Sequence, residues 1–189
     1  GRVAAMLNFT AGIKNLRSAA STAKIKTIIT SRRFIDTAKL DDVVAALAAM
    51  ETAPGQTMRI VYLEDVRRGI TGMDKLRGVL RAAMPARTHR KFAAAPDEPA
   101  AILFTSGTEG TPKGVVLSNR NLVANALQVG SLAMDFMTRD DIVLNPLPMF
   151  HSFGLTAGTL FPLLCGLKCV LYPSPLHYKQ VPALVRSSR

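Results

Sequence analysis

The sequence predicts an α/β fold in which layered sheets are flanked by helices. Short apolar runs, typical of buried strands, alternate with amphipathic stretches long enough to form helices. This strand–helix–strand order favours parallel pairing, because parallel neighbours need a crossover connection that a helix supplies. The chain has 189 residues, of which 48% are hydrophobic, so it can bury a substantial core.

The first predicted region, residues 1–80, opens this alternation as the first α/β segment. Its helices are expected over residues 10–22, 40–50 and 73–83, and its strands over residues 24–30 and 58–63. Thr10 is the candidate N-cap of the first helix. From residue 81 to residue 99 the pattern gives way to Ala, Pro, Arg and His, which predicts a linker or a long surface loop.

The last predicted region, residues 100–189, is a second α/β segment. Its strands are expected over residues 100–104, 115–117, 142–144 and 169–172, and its helices over residues 119–136, over residues 154–165 and from about residue 178. Ser118 is the expected N-cap of the helix that follows it. Residues 142–167 contain no charged side chain, but prolines interrupt the run, so a folded interior is favoured over a membrane span.

The charge of the chain is strongly basic and unevenly placed. Lys and Arg number 24 against 13 Asp and Glu, a formal net charge of +11, and residues 67–91 alone carry eight basic side chains and one acidic one. Two interpretations of residues 67–91 stay open: a solvated helix and linker, or a docking surface for an acidic carrier protein or anionic lipid head groups. A basic module that binds nucleic acid or a membrane surface without catalysis is the alternative function. We expect no nucleic-acid partner, because neither zinc spacing nor an aromatic and basic RNA-binding pattern occurs.

The two cysteines suggest a reducing compartment rather than a disulfide-stabilised secreted protein. Cys165 and Cys169 are predicted to be buried thiols. The N-terminal residues do not resemble a secretory signal, so a cytoplasmic location is expected.

One loop carries most of the chemistry that the sequence suggests. Residues 105–114 contain four hydroxyl side chains, three glycines, one lysine and one proline. Glycines let successive backbone N–H groups converge on an anion, and Lys113 adds a positive charge suited to a phosphate oxygen. A Walker loop is excluded because Pro112 stands where that motif needs a glycine. A polar hairpin loop is the alternative interpretation.

A second candidate site is the Pro-rich turn Asn145-Pro146-Leu147-Pro148-Met149-Phe150-His151-Ser152-Phe153-Gly154. An aromatic residue precedes a histidine there, within the uncharged run. A histidine in such a run is usually a hydrogen-bonded core residue, and a position in a pocket wall is the other possibility.

The segment Phe104-Thr105-Ser106-Gly107-Thr108-Glu109-Gly110-Thr111-Pro112-Lys113-Gly114 resembles, at every position, the AMP-binding signature of the adenylate-forming superfamily. That superfamily includes acyl-CoA synthetases, luciferases and peptide-synthetase adenylation domains. The resemblance implies that this loop, residues 104–114, contacts the β- and γ-phosphates of ATP, with Mg²⁺ as a further cofactor and no metal ligand in this chain. The implied ATP-binding residues are Thr105, Ser106, Gly107, Thr108, Gly110, Thr111 and Lys113. Among them Lys113, Thr105 and Thr108 are expected to be catalytic, while Glu109 is given only a loop-ordering role.

The Pro-rich turn, within residues 145–156, is similar to the next core motif of the superfamily. The resemblance implies that Phe150, His151 and Gly154 line the acyl pocket. No general-base role is assigned to His151, because adenylation begins with a carboxylate that is already ionised.

Residues 6–12, 150–156 and 172–178 look like the synthetase portion of bacterial acyl-[acyl-carrier-protein] synthetase/2-acylglycerophosphoethanolamine acyltransferase proteins, and the likeness extends over essentially the whole chain. It implies ATP-dependent activation of a fatty acid, transfer to an acyl carrier protein or CoA, and reacylation of lysophospholipid at an anionic, inner-membrane surface. The adenine, ribose and C-terminal lysine motifs of the superfamily are not found in the sequence. The chain is therefore expected to be part of the N-terminal domain of such an acid–thiol ligase, with little turnover by itself.

Overall fold

The computed structural model describes residues 2–90, 92–106, 111–172 and 179–187, with Ser106 described through its backbone alone. The strands are β1 (Ala4–Met6), β2 (Thr27–Thr30), β3 (Glu51–Ala53), β4 (Gln56–Thr57), β5 (Arg59–Tyr62), β6 (Pro99–Ser106), β7 (Pro112–Ser118), β8 (Ile142–Asn145) and β9 (Lys168–Leu171). The α-helices are α1 (Ile13–Thr22), α2 (Arg32–Ala38), α3 (Asp41–Ala48), α4 (Leu63–Gly69), α5 (Gly72–Ala82), α6 (Pro85–Arg90), α7 (Asn119–Ala133), α8 (Ser152–Leu155), α9 (Phe161–Cys165) and α10 (Val181–Ser187). A 3₁₀ turn covers Phe9–Ala11, and a π-helix covers Thr156–Leu160.

The predicted α/β class and the predicted parallel pairing are confirmed. Strand β2 pairs in parallel with β5, β1 with β6, and β8 with β9. Strand β7 lies beside β6, so that one sheet has the order β1-β6-β7. Strands β3 and β4 form a short antiparallel hairpin.

The first of two compact units contains residues 7–94 and residues 105–114. Its core is a cluster of buried side chains from α1, α3 and the residue that precedes β5, namely Leu16, Ala20, Leu47 and Met58. The predicted cap at Thr10 is wrong, because Gly12 occupies the N-cap position of α1 and has a positive φ of 81°. Asn8 instead caps the preceding 3₁₀ turn, where its side chain accepts a hydrogen bond from the Thr10 backbone N–H.

Acidic side chains of α4 hold the start of α2 in this unit. The Glu64 carboxylate accepts the Arg32 backbone N–H at 3.0 Å and 3.1 Å, which satisfies a donor that the helix itself leaves free. The Arg32 guanidinium donates two hydrogen bonds to Asp65, at 2.9 Å and 2.8 Å, and lies 4.1 Å from the centre of the Tyr62 ring. The hydrogen bond from the Arg32 N–H lowers the pKa of Glu64, and the guanidinium hydrogen bond lowers the pKa of Asp65.

The second compact unit contains residues 2–6, 95–104 and 115–189. One cluster of its core joins Ala101 and Leu103 of β6 to Leu155 of α8, and another joins Ala126, Phe161 and Leu167. Ser118 caps α7 as predicted. Its hydroxyl accepts the Asn121 backbone N–H, and the Asn121 side chain accepts the Ser118 backbone N–H in return.

Two predicted segments differ from the structure. The single helix expected over residues 154–165 is three consecutive pieces, α8, the π-helix and α9. Helix α6 lies within residues 81–99, where a linker or loop is predicted, and it begins with Pro85, whose fixed φ suits a first helical turn. In the part of the chain that the structure describes, no helix combines the length and hydropathy that crossing a bilayer requires.

Candidate functional site

The candidate phosphate loop connects two neighbouring strands of one sheet. Thr105 stands near the end of β6, while Thr111 immediately precedes β7, which contains Lys113. Because β6 and β7 are adjacent, the two ends of the loop are held side by side. Gly107, Thr108, Glu109 and Gly110, which the sequence also predicts for this loop, lie outside the described residues.

The described side chains at the loop ends are available to a ligand. Thr105, Thr111 and Lys113 are all exposed. Lys113 and the two hydroxyls can bind an anion, since ammonium and hydroxyl groups both donate hydrogen bonds to phosphate oxygens. The loop returns into strand β7, as predicted, so no helix begins directly after it.

A metal ion at this loop would depend on the phosphates for most of its ligands. Among residues 2–90, 92–106, 111–172 and 179–187, no group of three or more His, Cys, Asp and Glu side chains is placed to hold a metal. Mg²⁺ commonly binds through one or two carboxylates together with the phosphate oxygens of the substrate. The described residues are compatible with Mg²⁺ that is bound together with a polyphosphate.

The Pro-rich turn of the second unit is organised by a buried asparagine at the end of β8. Asn145 is 3% exposed. Its Oδ1 accepts the Leu147 backbone N–H at 3.0 Å, and its Nδ2 donates to the Gly154 carbonyl at 3.0 Å and to Thr159 Oγ1 at 3.1 Å. One side chain thus fixes the start of the turn, the end of the turn and the π-helix.

The π-helix is stabilised around the same point. The Phe161 backbone N–H donates to the Thr156 carbonyl five residues earlier, and Thr159 Oγ1 donates to the Gly154 carbonyl at 2.8 Å. A Cβ on Gly158 would overlap the Asn145 amide, and one on Gly154 would overlap the Pro148 carbonyl. Both positions require glycine for space. Such π-helical turns are often found at functional sites, where they re-aim neighbouring groups.

The three predicted pocket residues lie together in this turn. Phe150 is half-buried and its ring centroid is 5.0 Å from that of the His151 imidazole, while Gly154 is buried. The His151 backbone N–H donates to the Pro148 carbonyl at 3.1 Å, and the His151 carbonyl accepts the Leu155 N–H at 2.9 Å. The imidazole is exposed, so His151 is not the buried core histidine that the uncharged run allows.

The contributions of Asn145, Gly158 and Thr159 are absent from the sequence prediction. Asn145 had a detectable signal, since a lone amide at the end of an apolar strand has to find partners if it is buried. The sequence gives no comparable signal for Thr159 and Gly158, because their roles depend on a π-helix that the periodicity does not reveal.

The two cysteines are less buried than predicted. Both are free thiols of intermediate exposure. Cys169 Sγ donates to the Gly158 carbonyl at 3.2 Å, and burial raises the pKa of its thiol. These contacts place Cys169 among the residues that support the π-helix.

Comparisons with known proteins give a consistent relationship. The family described as AMP-binding enzyme matches residues 1–188. The sulfoacetate–CoA ligase of Cupriavidus necator is 46% identical over 71 residues, which are 38% of this chain and 14% of that protein. The medium-chain fatty-acid–CoA ligase of Escherichia coli strain K12 is 43% identical over 75 residues, which are 40% of this chain and 13% of that protein.

A solved structure shows the same fold. The inhibitor-bound N-terminal domain of FACL13 from Mycobacterium tuberculosis superposes with a TM-score of 0.62 and 24% identity, over 91% of this chain and 38% of that one. The matched segments thus cover about a seventh of the length of the two ligases, and the match to that domain covers less than two fifths of it.

Proposed function

Because the chain belongs to the AMP-binding enzyme family, we propose that it is the part of an adenylate-forming acid–thiol ligase that holds the ATP phosphates and one wall of the acid pocket. The observation that carries this proposal is the segment at residues 104–114. Its described ends present Thr105, Thr111 and Lys113 to solvent from two neighbouring strands.

The proposed reaction has two steps. A carboxylate oxygen attacks the α-phosphorus of ATP, the bond from that phosphorus to the pyrophosphate oxygen breaks, and the products are acyl-AMP and pyrophosphate. A thiolate then attacks the acyl carbon, and AMP leaves with the electron pair of the broken carbon–oxygen bond. The first step is needed because a free carboxylate would have to expel an oxide, which is a very poor leaving group.

In this proposal the loop stabilises the charge that develops on pyrophosphate. Lys113 and the hydroxyls of Thr105 and Thr108 act on the departing oxygens, which is the kind of preorganised electrostatic stabilisation that supplies much of enzymatic rate enhancement. Four further residues of the loop hold the phosphates through hydroxyls and backbone N–H groups, namely Ser106, Gly107, Gly110 and Thr111. Mg²⁺, when bound with ATP, neutralises phosphate charge.

The Pro-rich turn is the segment that we propose to contact the acid. Phe150, His151 and Gly154 form its wall, and the buried amide of Asn145 fixes the turn that carries them. An alkyl chain gains about 0.8 kcal/mol for each CH₂ group that it buries against such an apolar wall. Core packing already accounts for Leu155, Phe161 and Leu167, so the proposed contact with substrate is restricted to the turn.

The acid that we propose is a fatty acid, with an acyl carrier protein or CoA as the thiol acceptor. The likeness of residues 6–12, 150–156 and 172–178 to bacterial acyl-[acyl-carrier-protein] synthetase/acyltransferase proteins supports the carrier protein. It also supports a role in reacylating lysophospholipid, with the enzyme on the cytoplasmic face of the inner membrane. The two curated ligases act, by name, on sulfoacetate and on medium-chain fatty acids, so family membership alone does not select the acid.

The test of this function is acid-dependent ATP–pyrophosphate exchange by the full-length enzyme that carries this chain. We expect fatty acids to support exchange and sulfoacetate to fail. Offering holo-carrier protein and CoA separately then identifies the acceptor, with faster thioester formation expected on the carrier protein. Exchange with no fatty acid at any chain length would contradict the proposed substrate class.

A further inference from the structure

Helix α5 presents an apolar face that the described residues of the first unit leave exposed. Four apolar side chains, Met73, Leu76, Val79 and Leu80, are between 53% and 68% exposed, and no residue of α5 is buried. At about 100° per residue these four fall within roughly 120° of the helix circumference. An isolated exposed leucine is ordinary, but a continuous apolar row on one helix marks an interaction surface.

Basic side chains flank this row. Lys75 lies on one side of it and Arg77 on the other, while Arg81 lies on the opposite face together with Asp74. Helix α6 adds Arg87 and Arg90, and the whole segment 67–91 has a net charge of +7. Long basic side chains beside an apolar stripe can keep their charges at the level of lipid head groups while the stripe enters the membrane.

The helix forms without needing to bury that stripe. Thr71 and Asp74 make a capping box, with Thr71 Oγ1 accepting the Asp74 N–H at 3.2 Å and Asp74 accepting the Thr71 N–H at 3.0 Å. The Thr88 hydroxyl donates to the Arg81 carbonyl at 3.2 Å, which ties α6 to the end of α5. The surface is therefore preformed by local hydrogen bonds.

We propose that α5 and α6 form an interfacial anchor that lies on an anionic phospholipid surface, with the α5 apolar row in the lipid and the basic side chains at the head groups. The positive charge of the segment is complementary to an anionic surface. Basic side chains alone would be enough to bind an acidic protein, so the additional apolar row favours a lipid surface as the partner. The inference rests on the proposed function, in which the substrates are a fatty acid and a lysophospholipid. Vesicle binding is nevertheless measured without ATP or fatty acid, so its failure would leave the adenylation proposal untouched.

The experiment is cosedimentation of the full chain with vesicles of phosphatidylcholine containing phosphatidylglycerol, compared with phosphatidylcholine alone. We expect binding to the anionic vesicles only, weakened in 0.5 M salt because the charges are exposed. The triple variant Lys75→Glu, Arg77→Glu, Arg87→Glu should bind at least about 100-fold more weakly, since each basic side chain near such a surface contributes about fivefold. Its matched control reverses three exposed basic residues elsewhere in the same unit, Lys14→Glu, Arg17→Glu and Lys26→Glu, and should retain most of the binding.

A second pair of variants tests the apolar row. Leu76→Ser with Leu80→Ser should weaken binding about tenfold or more, whereas Leu127→Ser with Leu132→Ser, two leucines exposed on α7, should leave it unchanged. Absence of binding to anionic vesicles would overturn the proposal, and so would equal losses in the test and control variants. Capture of acidic carrier protein by the segment without vesicle binding would overturn it in favour of a protein partner.

Discussion

The side-chain amide of Asn145 and the hydroxyl of Thr159 are hydrogen-bonded at 3.1 Å, and both groups also donate to the Gly154 carbonyl. This triangle joins the end of a strand, the last residue of the Pro-rich turn and the π-helix. A buried network of hydrogen bonds therefore stabilises the turn that is proposed as the wall of the acid pocket.

Asn145→Ala tests how much that network stabilises the protein. The substitution leaves the Leu147 N–H without its acceptor and removes one of the two side-chain donors to the Gly154 carbonyl. We expect the free energy of unfolding to fall by about 2–4 kcal/mol, because buried groups that lose their partners carry the full cost of desolvation. Urea denaturation measures the change, and Asn125→Ala, at an exposed position of α7, should change stability by less than about 0.5 kcal/mol. Equal effects of the two substitutions would contradict a special role for Asn145.

Gly158→Ala tests the close packing of the π-helix on the same amide. A methyl group there would overlap Asn145, so either the helix or the amide must shift. We expect a loss of about 1–3 kcal/mol in unfolding free energy from overpacking. The control is Gly78→Ala in α5, where no atom of the described residues lies within 4 Å of the added Cβ, and it should stabilise the protein by about 0.5–1 kcal/mol through helix propensity. Stabilisation by both alanines would rule out tight packing at Gly158.

Lowering the pH should lower the free energy of unfolding, because Glu64 and Asp65 of the first unit become protonated. Both carboxyls have a pKa lowered by hydrogen bonds from Arg32, so their contribution is fully present above their ordinary values and is lost as pH falls through the lowered ones. The double variant Glu64→Gln, Asp65→Asn should be less stable than the parent at pH 7. Below about pH 4.5 its free energy of unfolding should fall less with decreasing pH than that of the parent. Urea midpoints between pH 2 and pH 7 measure this. Parallel curves for parent and variant would refute the assignment.

Much of this fold could be predicted from the sequence, because many of its elements depend on interactions between residues that are close in the sequence. Ser118 caps α7, and the strands near residues 28, 60, 143 and 170 pair in parallel as their spacing indicates. Helix α2 was not predicted, although Ser31 provides a local N-cap; Glu64, which is 32 residues away in the sequence, adds a non-local contact to its first turn. The π-helix was also missed, since it depends on Asn145 and on space left by Gly158.

The candidate site also combines a part that could be predicted from the sequence with a part that could not. The loop at residues 104–114 is a contiguous segment, so its residue types alone suggest a phosphate site. The support of the Pro-rich turn is not contiguous, because Asn145 and Thr159 meet only after the chain has folded back on itself.

Fatty-acid-dependent ATP–pyrophosphate exchange in the full-length enzyme with Lys113→Ala tests the central claim most directly. Lys113 is exposed at the start of β7, so alanine should leave the fold intact while removing the positive charge proposed to stabilise pyrophosphate. We predict a loss of exchange of about 100- to 1,000-fold, the range typical for removal of one stabilising donor, with Lys14→Ala, an exposed lysine of α1, close to the parent rate. Exchange that is unchanged in Lys113→Ala would contradict the assignment of this loop to the ATP phosphates.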